Sequence, residues 1–209
     1  MTENNITNTK APDAYTPSYS PGASQSQVFG QSELLNAGSI LKDILGLGPR
    51  HVVGDLGAGG GMFTISAARL VGDQGQVYAV DVMRHVLGDI ESKARMARLN
   101  NIKTVWSNLE MVGAARIKEA SLDFAILVNV LFQSKKHEAI LTEATRLLKT
   151  GGQLLVIDWS DTRPGFAPAN DRQVDPQRII QLAAANGLTL EREFKAGHYH
   201  FGLILIKKS

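Results

Sequence analysis

The chain has 209 residues, of which 44% are hydrophobic and 20% charged, enough to build one full domain with its own core but not two. It contains no cysteine, which removes disulfides, thiolate nucleophiles and Cys-ligated metal centres, and its formal charge of +2 is too small to mark a nucleic-acid surface. No apolar run approaches the ~18 residues of a membrane span, and Met1 to Lys10 has no signal-peptide pattern, so the chain reads as cytoplasmic, with no membrane span.

Residues 1–26 are rich in Asn, Thr, Ser, Pro and Gln, with almost no aliphatic side chains. That composition predicts a disordered arm before a single domain over 27–209. Leu34, Leu35, Ile40, Leu41, Ile44 and Leu45 fall at near-helical spacing, and Gly46-Leu47-Gly48-Pro49 ends the segment. The apolar run His51 to Leu56 passes through Gly57-Ala58-Gly59-Gly60-Gly61 into a helix over Met62 to Val71. The order is strand, glycine turn, helix. After the turn Gly72 to Gly75, Gln76 to Val82 reads as a short buried strand carrying Asp81, and a helix over Met83 to Leu99 follows.

Thr104 to Trp106 is a third strand, Leu122 to Leu131 a fourth, and Lys135 to Lys149 a helix capped by Thr150-Gly151-Gly152. The contiguous Leu154 to Ile157 makes Gln153 to Trp159 a strand covered on both faces. Residues 160–174 read as a loop. Asp175-Pro176 then supplies the N-cap and first turn of a helix that stops at Asn186-Gly187. Leu188 to Phe194 and Tyr199 to Lys207, joined by Lys195 to His198, form an antiparallel hairpin. Strand and helix alternating in this way predict an α/β, Rossmann-like three-layer sandwich with a mostly parallel sheet and a C-terminal antiparallel hairpin.

In such a sheet a ligand sits beyond the carboxyl ends of the strands. Gly57, Gly59 and Gly61 let the backbone turn sharply and come close to that ligand, and the helix after Gly61 presents free N–H groups to it. Asp81, one strand over, is placed to accept the hydroxyls of a ribose. Met62 stands where a dinucleotide fingerprint requires glycine, and no Lys follows the glycines as a P-loop demands. Pyrophosphate is therefore disfavoured, and Asp55, just before the glycines, is placed to meet a cation.

Val52 to Gly61 resembles the first motif of class I S-adenosylmethionine-dependent methyltransferases, whose small-molecule, quinone-biosynthesis-like branch is the most similar. The resemblance spans about residues 28–207 and implies the family's seven-stranded fold, with S-adenosyl-L-methionine as cofactor. It implies that Asp55, Gly57, Ala58, Gly59 and Gly61 hold the methionine moiety and that Asp81 takes the ribose hydroxyls, with Val82 and Met83 beside the adenine. Thr104 to Glu110 is similar to the third motif, with Asn108, next to Leu109, where the usual aspartate meets the adenine amino group. Leu127 to Leu131 resembles the fourth-strand motif and places Asn129 near the sulfonium; Leu147 to Gly152 resembles the turn before strand five.

Methyl transfer is an in-line displacement in which alignment matters more than acid–base chemistry. Catalytic candidates at the same edge are Asp158, beside Trp159, and His198, which would share a strand face with His200. No metal site is expected. The Pro-Pro-aromatic motif of amino-directed methyltransferases is missing after Asn129, and the arsenite-methylating branch depends on cysteines that this chain lacks. The expectation is a methyltransferase acting on a small-molecule acceptor. The alternatives are an RNA or protein methyltransferase, or a non-catalytic cofactor-binding partner subunit, for which Asn108 in place of the acid speaks. Oligomeric state has no signature in the sequence.

Overall fold

The computed structural model describes residues 35–160 and 173–208. The arm over 1–26, the domain start near Val28 and most of the loop over 160–174 lie outside these residues. The chain forms α1 (Ala37–Ser39), which runs into a π-helical turn (Ile40–Ile44), then β1 (Val52–Leu56), α2 (Met62–Val71), β2 (Gln76–Asp81), α3 (Arg84–Met96) and β3 (Ile102–Trp106). There follow β4 (Leu122–Val128), a 3-10 turn (Leu131–Gln133), α4 (His137–Leu147), β5 (Leu148–Trp159), α5 (Pro176–Ala185), β6 (Leu188–Ala196) and β7 (His200–Lys207).

One seven-stranded sheet has the order β3-β2-β1-β4-β5-β7-β6. All neighbours are parallel except β5 with β7 and β6 with β7, the mostly parallel sheet and closing hairpin that the alternation predicts. β1 and β4 are adjacent and the chain winds outward from them in both directions, so the switch point falls at the ends of these two strands. Side chains alternate across the sheet. Val53, Val77, Leu155 and Ile157 pack under α1 and α2, while Leu127, Leu154, Val156 and Leu203 join Leu141, Leu147 and Ile179 of α4 and α5.

Several boundaries depart from the sequence expectation. β3 begins at Ile102 rather than Thr104, because Val77 to Asp81 of β2 pairs along its whole length. β4 ends at Val128, not Leu131, because Asn129 takes φ 56 and turns the chain away. The helix over 135–149 is shorter, and Thr150-Gly151-Gly152 is no cap: β5 already starts at Leu148, which pairs with Leu122. A Cβ on Gly152 would lie 2.9 Å from the Lys149 carbonyl oxygen, so the glycine there serves close strand packing. His198 lies in the turn before β7 and is exposed, whereas His200 is on the strand and buried, so the two do not share a face.

Candidate functional site

Three strand ends are stitched together at the switch point. The Gly57 and Ala58 amides both donate to the Val80 carbonyl, at 2.8 and 2.9 Å, so the glycine turn hangs from β2. Gly57 has φ 85, a region closed to most side chains, and a Cβ there would come within 2.5 Å of Val130 Cγ2. Gly59 and Gly61 are also left-handed, with φ 47 and 78. Gly61 is the N-cap of α2 with no side-chain cap, which leaves the helix N-terminus to the turn.

Asp81 closes β2 and is 7% exposed. Its Oδ2 accepts from the Gly59 amide and its Oδ1 from the Met83 amide, both at 2.9 Å. A carboxylate offers about four lone-pair sites, so each oxygen retains acceptor capacity while the backbone fixes the plane of the group. The Asp81 carbonyl in turn accepts from the Ser107 amide at 3.0 Å, which ties the end of β3 to β2.

Next to Asp81, beginning at Val82, lies a cavity of about 610 Å³ lined by Val82, Trp106, Ser107, Asn108, Met111, Ala114 and Arg116. Its walls are apolar and exposed: Val82, Trp106 and Met111. The Trp106 indole donates to the Val82 carbonyl at 2.9 Å, and the Arg84 guanidinium stacks 3.8 Å from its ring centre. Asn108 Oδ1 already accepts from the Glu110 amide at 2.9 Å, so half of its acceptor capacity serves the turn. Leu109 is buried in the core below. Sequence reasoning missed Trp106, Ser107 and Met111; an apolar aromatic at the end of the third strand was their signal.

Asp55 is not the open acid that its position before the glycines suggests. It is buried, and Thr64 Oγ1 donates to its Oδ2 at 2.5 Å, so it fastens β1 to the first turn of α2. Burial pushes its carboxyl up to about 6 against the opposing Thr64 bonds. Asp158 is equally enclosed. Its Oδ2 accepts from Leu131 and Phe132 amides at 3.0 and 3.3 Å and its Oδ1 from the Trp159 amide at 2.9 Å. Burial raises it to about 6 as well, yet the carboxylate is spent on holding the chain after β4.

Asn129 sits between these groups. Its amide donates to the Ile157 carbonyl at 2.8 Å, its carbonyl accepts from Gln133 Nε2 at 2.7 Å, and its Oδ1 is buried with no partner. Val82 lines the cavity, Met83 next to it bonds Asp81 through its amide, and Ala58 is buried within the glycine turn. Thus Gly57, Ala58, Gly59, Gly61, Asp81, Val82, Met83, Asn108 and Asn129 converge on one edge of the sheet. His198 is exposed in the β6–β7 turn, which the pairing of Trp159 with His200 puts at the same edge of the sheet. Among the described residues no group of three or more His, Asp or Glu could hold a metal ion, and no helix is long and apolar enough to cross a membrane.

Residues 49–191 match the family described as Methyltransferase domain, and the chain belongs to that family. It is 27% identical over 144 residues to an arsenite methyltransferase of Halobacterium salinarum, covering 68% of this chain and 35% of that protein. It is 31% identical over 119 residues to the ubiquinone/menaquinone biosynthesis C-methyltransferase UbiE of Shewanella sp. strain W3-18-1, covering 56% of this chain and 46% of that protein. The chain thus spans less than half the length of these curated relatives. A SAM dependent methyltransferase from Aquifex aeolicus superimposes with a TM-score of 0.75 at 23% identity, over 84% of this chain and 91% of that one, a likeness of fold.

Proposed function

We propose that the chain is an S-adenosyl-L-methionine-dependent methyltransferase acting in the cytoplasm on a small-molecule acceptor. The observation that carries this reading is the Asp81 carboxylate, held by two backbone amides with lone pairs to spare, between a left-handed glycine turn and an apolar cavity. The residues present fit the cofactor. The turn before α2 holds Gly57, Gly59 and Gly61 in left-handed backbone with the helix N-terminus uncapped, and Asn129 Oδ1 is a buried acceptor without a donor.

The bound cofactor supplies an electrophilic methyl group on a positively charged sulfur. Asp81 would take the two ribose hydroxyls, and Val82, Trp106 and Met111 would enclose the adenine, with the free capacity of Asn108 toward its amino group. The amides at the start of α2 and the glycine turn would hold the methionine end, with Asp55 acting through Thr64 to keep that turn in place. Asn129 Oδ1 would lie against the positive end of the reacting bond. A small-molecule acceptor is favoured by the activities of the relatives and by the modest charge of the chain. Arsenite is disfavoured because these 209 residues contain no cysteine.

Thermal unfolding with and without S-adenosylhomocysteine tests the reading. The midpoint should rise with ligand concentration in the wild type and should not move for Asp81→Ala, with circular dichroism as the control that the variant is folded. A wild-type midpoint indifferent to the ligand would reject the assignment.

A further inference from the structure

Among the described residues six side-chain atoms are buried without a hydrogen-bond partner, and three of them belong to one pair of side chains in contact: Trp159 Nε1, and Nδ1 and Nε2 of His200. The sheet brings them together. Trp159 at the end of β5 pairs with His200 at the start of β7, and the Asn129 amide bonds the carbonyl of Ile157, two residues before Trp159. The Trp159 and His200 rings stack at 4.3 Å with a tilt of 36°. Both lie on the α1–α2 side of the sheet, on the face of Leu155, Ile157 and Ile204, whereas Asp158 faces the other way and is fully engaged.

Buried polar atoms without partners are rare and costly, so the free indole N–H and imidazole nitrogens of this pair, beside a ligand site, call for a guest that bonds to both rings. Their chemistry restricts the guest. The Trp159 indole can only donate, and a neutral imidazole offers one donor and one acceptor. A hydroxyl meets a donor and an acceptor at once; a carbonyl has nothing to donate and an ammonium nothing to accept with. His200 is 7% exposed, and burial holds its ring down at about 4, so it presents no charge to an anion at neutral pH.

We propose that Trp159 and His200, beside Asn129, form the subsite for the methyl acceptor and that it takes an uncharged hydroxyl-bearing molecule, whose oxygen accepts from the Trp159 indole and whose proton is donated to the His200 ring. The word acceptor rests on the cofactor reading above; the hydroxyl subsite itself does not.

The chain contains two tryptophans, and they report on the two sites separately. Trp106 lines the cavity beside Asp81 and its indole N–H is already bonded, while that of Trp159 is free. In ¹⁵N-indole NMR, with Trp159→Phe assigning the two signals, S-adenosylhomocysteine should move Trp106. Phenol, titrated to millimolar concentration, should shift Trp159 downfield in a saturable way and leave Trp106 in place, and toluene, which has no hydroxyl, should move neither. His200→Phe keeps the stacked rings and loses the nitrogens. It should weaken phenol by about tenfold, the order expected for one hydrogen bond to a buried partner, whereas a purely structural His200 would leave phenol affinity unchanged. A Trp159 signal indifferent to phenol in the wild type, or equal phenol affinity in His200→Phe, would overturn the proposal. If Trp159 responds to phenol while Trp106 ignores S-adenosylhomocysteine, the hydroxyl subsite stands and the cofactor reading falls.

Discussion

At the scale of single residues, two buried titratable groups pull stability in opposite directions as pH changes. Asp55 has its carboxyl raised from 3.8 to about 6 by burial, so its folded form favours the proton. Its contribution to stability is complete below 3.8 and is lost as pH rises through about 6. Asp55→Asn keeps a partner for Thr64 without the charge. Its urea midpoint should therefore gain on the wild type between pH 5 and pH 7, by an amount read from paired denaturation curves. His200 has the other sign. Its ring is lowered from 6.5 to about 4, so stability is complete above 6.5 and is lost as pH falls through about 4. His200→Phe should hold its melting temperature on acidification from pH 7 to pH 5 better than the wild type does. Neither burial was legible in the sequence. Asp55 reads as an acid near the strand end, open to a cation, because its partner Thr64 lies on the next element, and His198 and His200 look equivalent until the hairpin turn puts one in solvent and the other against Trp159. Asp81 and the glycines were legible, because a strand-end acid and a left-handed turn have few residue types to choose from.

At the scale of elements, the loop that carries Asn108 and Met111 is fastened from the side by α4. Glu143, fully buried, accepts from the Gly113 and Ala115 amides at 2.7 and 3.2 Å and from Arg146 at 2.8 and 2.7 Å. Burial pushes the Glu143 carboxyl up, but the Arg146 and amide hydrogen bonds outweigh it and hold it below the usual range. Arg146 also bonds the Ala115 carbonyl at 3.1 Å. Removing Glu143 leaves two amides without an acceptor and Arg146 with only the exposed Glu119 as a counter-charge, so Glu143→Ala should lose about 3 kcal/mol in urea unfolding. It should also weaken S-adenosylhomocysteine, measured at a temperature where the variant is still folded. Nothing in the sequence marks this clamp, since an i, i+3 pair on a helix usually faces solvent. Element identities were legible from periodicity and turn residues. Boundaries were not, where pairing decided them: β5 extends back to Leu148 because Leu122 is there to receive it.

At the scale of the whole molecule, the alternation of strands and helices fixes layers and a largely parallel sheet, and the short final connection dictates the antiparallel β6–β7 pair. The order in which β7 inserts between β5 and β6 is a tertiary outcome, and it is what places His200 next to Trp159. Calorimetric titration of the folded wild-type chain with S-adenosylhomocysteine, alongside Asp81→Ala, tests the account most directly. It predicts saturable heat at one site per chain for the wild type and none for the variant; folded wild-type protein that gives no heat at millimolar ligand would contradict it.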